Sequence, residues 1–324
     1  MGAERHRPLA DLARPPLVAL GLFLVAVLGG CGGGGNTAST RGTAALSRAG
    51  GGGTLVYTLP ALPNDLDPLA ASSRDARLVT RQIHEPLVAS LAGPYDDSSR
   101  RPGLAQSIHP SPNQTIWTLR LRDGVSFTDG TLFSASAVLA NARRWQSLAA
   151  GRELLPSLFA VDAPRPDVVR FFFNRPTPDL PRRLSSPQLG IVAPESLKPA
   201  SGESARVAGG GIGTGPFEPT RTVTGELVLT RNPSWWGTPL GLGPALDSID
   251  FRGVSGAAER IALLRGGQAQ VAGSIPDTDL DAIAADPLLT SIPGGIGMER
   301  SVRGIDSTEP ISFSSVWLTT IRPG

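Results

Sequence analysis

The chain has 324 residues, room for one large domain or two ordinary ones, and its 40% hydrophobic content supplies a sizeable core. Its 39 glycines and 30 prolines make about a fifth of the chain without a Gly-X-Y period, which excludes collagen and wholesale disorder. With 18% charged residues, a formal charge of +2 and Lys198 as the sole lysine, no basic footprint for a nucleic acid exists.

The chain opens on a secretory layout. Arg5, Arg7 and Arg14 precede an apolar run from Leu17 to Leu28, and Gly29 and Gly30 follow it directly before Cys31. The run is about half of the roughly 20 residues that a helix needs to cross a bilayer, so a permanent span is disfavoured. Leu28-Gly29-Gly30-Cys31 resembles a bacterial lipobox, in which a peptidase cuts before the cysteine and the thiol takes a diacylglycerol; an ordinary cleaved signal that happens to hold a cysteine is the alternative. Cys31 is the single cysteine, so an internal disulfide and a cysteine-built zinc site are excluded. Residues 1–30 therefore read as a lipoprotein signal peptide, and residues 31–52, rich in Gly, Ser, Thr and Ala, as a flexible tether.

From Thr54 onward strands and helices alternate. Thr54 to Leu59 is a β-rich run, followed by the turn-rich Pro63-Asn64-Asp65-Leu66-Asp67-Pro68. A helix follows, with Ala76, Val79 and Ile83 on one face, Arg77, Arg81 and Glu85 pointing away, Ser72 or Ser73 as its cap and Pro86 as its stop. Trp117, Leu119 and Leu121 alternate with polar residues as a half-buried strand. Turn signals at Asp123-Gly124 and Asp129-Gly130 flank Val125 to Thr128, and Ser134 caps a helix with Val138, Ala142 and Trp145 as its apolar stripe. Further strands are expected at Val168 to Phe173, Leu227 to Thr230 and Ile249 to Val254, with helices at Ala257 to Leu264 and Thr278 to Ala284. The body is mixed α/β.

Little in the chain points to catalysis. Gly209 to Pro216 is glycine-rich, but it lacks the Lys-Ser/Thr of a phosphate loop and reads as a connector between lobes. No Gly-x-Ser-x-Gly elbow occurs, and His6, His84 and His109 are scattered, so neither a hydrolase nor a histidine metal cluster is expected. His84 reads as a partly buried structural histidine. Asp65 and Asp67 read as turn-capping residues before metal or ligand contacts. Trp235-Trp236 reads as packing over a turn before an aromatic platform.

Several motifs in order carry a resemblance. Gly52-Gly53-Thr54-Leu55-Val56 with Asp65-Leu66-Asp67-Pro68, then Gln82 to Val88, Pro102-Gly103-Leu104-Ala105, Trp117 to Thr131, Gly213-Thr214-Gly215-Pro216-Phe217 and Arg231 to Gly237 resemble the peptide and nickel family of extracytoplasmic solute-binding proteins (family 5), the receptors of ABC importers. The set spans about Gly52 to Ile292. It implies a mixed α/β fold like the first lobe of a type II periplasmic binding protein. Residues 53–91 and 207–324 would form a discontinuous base lobe, with 92–206 an inserted α+β subdomain.

The resemblance further implies a binding protein rather than an enzyme, without cofactor or metal. It would be lipid-anchored through Cys31 on the outer or periplasmic face of the membrane, with an ABC permease and a small polar solute, a peptide in the first place, as partners. The strand-to-turn region after the first strand faces the cleft in this family. Leu62, Pro63 and Asn64, with Asp65 and Asp67 bracing the turn, are thus the expected solute contacts, their extended backbone pairing with a peptide by strand addition. Family members continue past the Thr278 to Ala284 helix into a second lobe, whereas this chain stops at Gly324, with Phe313 to Ile321 resembling a closing strand. The expectation is a short form lacking that lobe, natural or from a truncated gene, with weakened solute binding. The alternative is an interaction lipoprotein that keeps one receptor lobe for docking.

Overall fold

The computed structural model describes residues 52–89, 103–197, 211–287, 289–292 and 299–302. The signal segment, Cys31, the tether before Gly52 and the Phe313 to Ile321 run lie outside the described residues.

Strand β1 (Thr54–Leu59) buries Leu55, Tyr57 and Leu59 on one face, as a period of two requires. After a 3-10 turn at Pro68–Ala70 comes α1 (Arg74–Thr80), whose cap is Ser73: its Oγ accepts the Ala76 N–H at 3.0 Å. The helix ends at Thr80, well before Pro86. The chain leaves it through tight i→i+3 turns, with Gln82 N bonded to Val79 O and Ile83 N to Thr80 O. This change of pitch overturns the outward placement expected for Glu85, which is carried inside and is 2% exposed.

The chain then builds β2 (Ala105–Pro110), β3 (Ile116–Leu121), α2 (Ala135–Ser147), α3 (Ala149–Leu154), β4 (Leu158–Arg165), β5 (Val168–Phe173) and the short α4 (Leu180–Arg183). The four strands form an antiparallel sheet in the order β2-β3-β5-β4. Trp117, Leu119 and Leu121 face inward beside Val169, Phe171 and Phe173, and α2 lays Val138, Ala142 and Trp145 over them. The edge strands β2 and β4 are mostly half-buried without clean alternation, so no periodic signal announces them. Ser134 holds the N-cap position of α2, but its hydroxyl meets Ser136 Oγ at 2.8 Å instead of a helix N–H.

The return segment supplies β6 (Phe217–Val223), β7 (Glu226–Arg231), β8 (Ser248–Gly253), α5 (Ala257–Arg265), β9 (Val271–Ala272), α6 (Leu280–Ala284), β10 (Leu289–Ile292) and β11 (Glu299–Val302). Among the described residues the second sheet runs β10-β11-β9-β1-β8-β7-β6. β1 lies parallel to both neighbours, with Tyr57 level with Phe251 on β8 and Val271 on β9. A hairpin cannot join parallel strands, so the chain must cross over; the crossing from β1 to β8 carries the whole four-stranded unit. One face of the seven-stranded sheet packs Leu55, Tyr57, Ile249 and Phe251 under Leu78, Val79 and Ile83. On its other face Ala272 and the partly buried Val56 pack with Ile261, Leu264 and Ile283.

The glycine tract lies where the chain passes back. Gly215 N donates to Ile83 O at 2.8 Å and Phe217 N to Gln82 O at 3.1 Å, while Gly213 O accepts from Thr128 N at 2.9 Å. A β-carbon on Gly213 would stand 2.1 Å from Ile83 O, and one on Gly215 2.4 Å from Gln82 O. These glycines are required by close backbone approach. Over its described residues, from Gly211, the tract leads from the segment that carries the four-stranded sheet into β6 of the seven-stranded one.

Candidate functional site

The turn after β1 is built from its own acids. Asp65 Oδ1 accepts the Asp67 N–H at 2.8 Å, and Asp67 Oδ1 accepts the Leu69 N–H at 2.9 Å, capping the 3-10 turn that Pro68 begins. Both acids therefore do the turn work that their spacing announces. The second oxygen of Asp67 takes an ion pair from Arg144 of α2, with side chains 4% and 10% exposed respectively. The contact ties the turn to α2 across 77 residues of sequence.

An open cleft of about 640 Å³ runs along this seam. Leu62, Pro63, Asn64, Asp65 and Asp67 all line it, so the structure brings the five residues singled out from sequence to one wall. Asn64 is exposed, Leu62, Pro63 and Asp65 are half-buried, and Asp67 is buried. Ser72, Ser73 and Ala76 at the start of α1 extend that wall, and Arg144, Leu148 and Ala150 line the cleft from the α2–α3 side. Sequence spacing marks Ser72 or Ser73 as the cap of α1 and Ala76 on its apolar face, but none of the six as a cleft residue. Arg144 had one clue: it directly precedes the buried Trp145, on the flank of an apolar stripe. The charged groups of the cleft are two carboxylates and one guanidinium, leaving an excess of one negative charge. Polar and apolar side chains alternate along this lining, and among its residues no nucleophile stands with a base to activate it.

A second polar cluster lies inside the molecule. Trp236 Nε1 donates to Glu85 Oε2 at 2.8 Å, and the polar side-chain atoms of Thr214 and Trp235 lie near this carboxyl. Burial pushes the Glu85 carboxyl from the ordinary 4.5 up to about 7, against the opposing pull of the Trp236 hydrogen bond, the neighbouring polar groups and the Arg122 charge. The Arg122 guanidinium lies 4.2 Å from the Trp236 ring centroid and its Nε donates to Gly103 O at 3.1 Å. Burial also pulls Arg122 below its usual value, with Glu85 working the other way. Trp235 is 3% exposed, so the tryptophan pair packs and presents no open platform. Next to Glu85, His84 is wholly buried with Nδ1 3.4 Å from Ile191 O, more enclosed than the partly buried position expected. Among the described residues no group of three or more His, Cys, Asp or Glu is placed to hold a metal ion, and no helix is long and apolar enough to cross a membrane.

Residues 100–308 match the family described as bacterial extracellular solute-binding proteins, family 5, middle region. The chain belongs to this family. Among its relatives, the probable D,D-dipeptide-binding periplasmic protein DdpA of Escherichia coli K12 is 28% identical over 234 residues, covering 71% of this chain and 45% of DdpA. The glutathione-binding protein GsiB of the same strain is 29% identical over 215 residues, covering 65% of this chain and 40% of GsiB. The chain thus spans less than half the length of these family 5 relatives.

Solved structures agree on the fold. NikA from Brucella suis in complex with Fe(III)-EDTA superposes with a TM-score of 0.63 at 26% identity, over 74% of this chain and 48% of NikA. The binding protein AgaA from A. tumefacien R10 in complex with agropinic acid gives 0.63 at 25% identity, over 74% and 48%. The described body has the mixed α/β architecture of type II periplasmic binding proteins, and the family is one of binding proteins, not enzymes.

Proposed function

We propose that this chain forms the base-lobe portion of a lipid-anchored, extracytoplasmic solute-binding protein that captures peptides for an ABC importer. The observation that carries the reading is the open cleft at the seam between the turn after β1 and helix α2, lined by Leu62, Pro63, Asn64, Asp65 and Asp67. The named ligands of DdpA and GsiB, a D,D-dipeptide and glutathione, support short peptides as the solute class. In this reading residues 53–91 and 207–324 make the base lobe and 92–206 the inserted subdomain. Support comes from the sheet order, in which strands from both flanks share one sheet and β2 to β5 form another.

Thermal unfolding of the purified chain with a mixed di- to pentapeptide library tests the solute class. A ligand present at a hundredfold its dissociation constant adds about 2.7 kcal/mol to stability, an easily read rise in midpoint; an unchanged midpoint at millimolar peptide counts against peptide capture. The anchor is tested separately. Wild-type protein is expected to begin at an acylated Cys31 and partition into detergent, and Cys31→Ser to release or stall it. Normal processing and membrane retention of Cys31→Ser would remove the anchor from the reading.

A further inference from the structure

We infer that Glu85 is a latch between the two sheets, and that its ionisation draws Arg122 off the Trp236 ring and loosens their joint. The inference goes beyond solute capture and holds whatever the solute. Four segments meet at this carboxyl: residues 83–87 lead from α1 toward β2, residues 213–217 lead into β6, Trp235 and Trp236 follow β7, and Arg122 directly follows β3. Trp236 touches both sides. Its indole N–H donates to Glu85 Oε2 at 2.8 Å, and its ring carries the Arg122 guanidinium 4.2 Å from the centroid. The main chain completes the joint, with Glu85 O accepting the Ile191 N–H at 2.9 Å and Ile83 O the Gly215 N–H at 2.8 Å.

These surroundings suit a neutral acid and leave a carboxylate poorly served. The donor bonded to Glu85 is an uncharged indole. Arg122 is the one charge acting on Glu85, yet it is not ion-paired to it, and its Nε donates instead to Gly103 O at 3.1 Å. Thr214 Oγ1, wholly buried beside the carboxyl, has no hydrogen-bond partner, so a spare hydroxyl donor stands ready. His84, the other titratable group on this segment, turns Nδ1 to Ile191 O at 3.4 Å. A buried carboxylate demands charge-assisted donors, and the guanidinium is the one at hand. Bringing it over undoes the stack that joins β3 to the loop after β7. Burial places the titration at about 7, so the latch works around neutrality.

The cleft opens at the same junction. Asp67 belongs to the turn after β1 and Arg144 to α2, which packs on the four-stranded sheet. A looser joint at Glu85 therefore frees the two walls of the cleft to shift against each other.

The test is amide hydrogen exchange of the whole chain, resolved by nuclear magnetic resonance at about pH 6 and about pH 8. The exchange rate of the joint amides, Ile191 and Gly215, is divided by that of amides within β3 and β5, which cancels both the intrinsic effect of pH and any change in global stability. In the wild type this ratio is expected to rise about tenfold or more between the two pH values, following the ionised fraction, and in Glu85→Gln to stay flat. Arg122→Met removes the one charge that favours the carboxylate and is expected to move the midpoint of the rise to higher pH. A flat ratio in the wild type overturns the latch. A rise that persists in Glu85→Gln belongs to another group, His84 first, and overturns it too. An unmoved midpoint in Arg122→Met overturns the part given to Arg122.

Discussion

Glu85→Gln is expected to make the protein more stable by about 3 kcal/mol above neutral pH and to leave it nearly unchanged in mild acid. The folded state holds the Glu85 carboxyl at about 7 against 4.5 for an ordinary glutamate, because the group is buried. An acid whose folded value is raised contributes its full stability below the unfolded value and loses it as pH climbs through the folded one. The unfolded chain gives up its proton first, so native stability falls between about pH 4.5 and 7 and then levels off. A difference of roughly 2.5 pH units corresponds to about 3 kcal/mol. Glutamine keeps an oxygen for the Trp236 indole N–H, bonded at 2.8 Å in the wild type, and never ionises. Urea midpoints at about pH 5 and about pH 8 decide the matter. Parallel pH dependence in the two proteins would mean that Glu85 meets more water than its 2% exposure implies.

Breaking the pair that joins the two walls of the cleft is expected to cost as much. Arg144→Met leaves Asp67, whose side chain is 4% exposed, as a buried carboxylate without its counter-ion. Loss of one partner of a buried pair costs about 3–5 kcal/mol, most of it the penalty on the charge left behind. If so, a second change that removes the stranded charge restores most of the loss. Asp67→Asn in the Arg144→Met background keeps the oxygen that caps the Leu69 N–H and is expected to recover more than half of the deficit. Urea unfolding of the single and double variants measures this directly. A double variant no better than the single one would locate the cost in lost packing of the arginine stem instead.

What could be read from the chain before any coordinates divides by sequence distance. Trp117, Leu119 and Leu121 announce β3 because a half-buried strand writes its own alternation, and Asp65 and Asp67 announce their turn because each bond spans two residues. The five cleft residues became legible only through a set of ordered motifs, since nothing in their chemistry alone distinguishes them from a capped turn. Arg144 stayed hidden: its partner lies 77 positions away, and a basic residue on a helix is by default a solvated one. The inward place of Glu85 is illegible for a different reason: helical spacing carried to Pro86 sends it outward, but the chain tightens at Thr80 and each residue beyond that point turns to another face.

The position of β1 between β8 and β9 sets a timetable for the growing chain. Thr54 is made early, yet its register partner Ser248 comes 194 residues later. At ~5–20 residues per second, synthesis of that interval takes roughly 10–40 s. The β2-β3-β5-β4 sheet needs nothing made after Phe173 to complete its ladders, so it can close while β1 still has neither neighbour. Throughout that interval a strand bearing Leu55, Tyr57 and Leu59 has two unpaired edges, the condition under which chains aggregate. The keystone of the larger sheet is thus among its first parts to be made and among the last to be set.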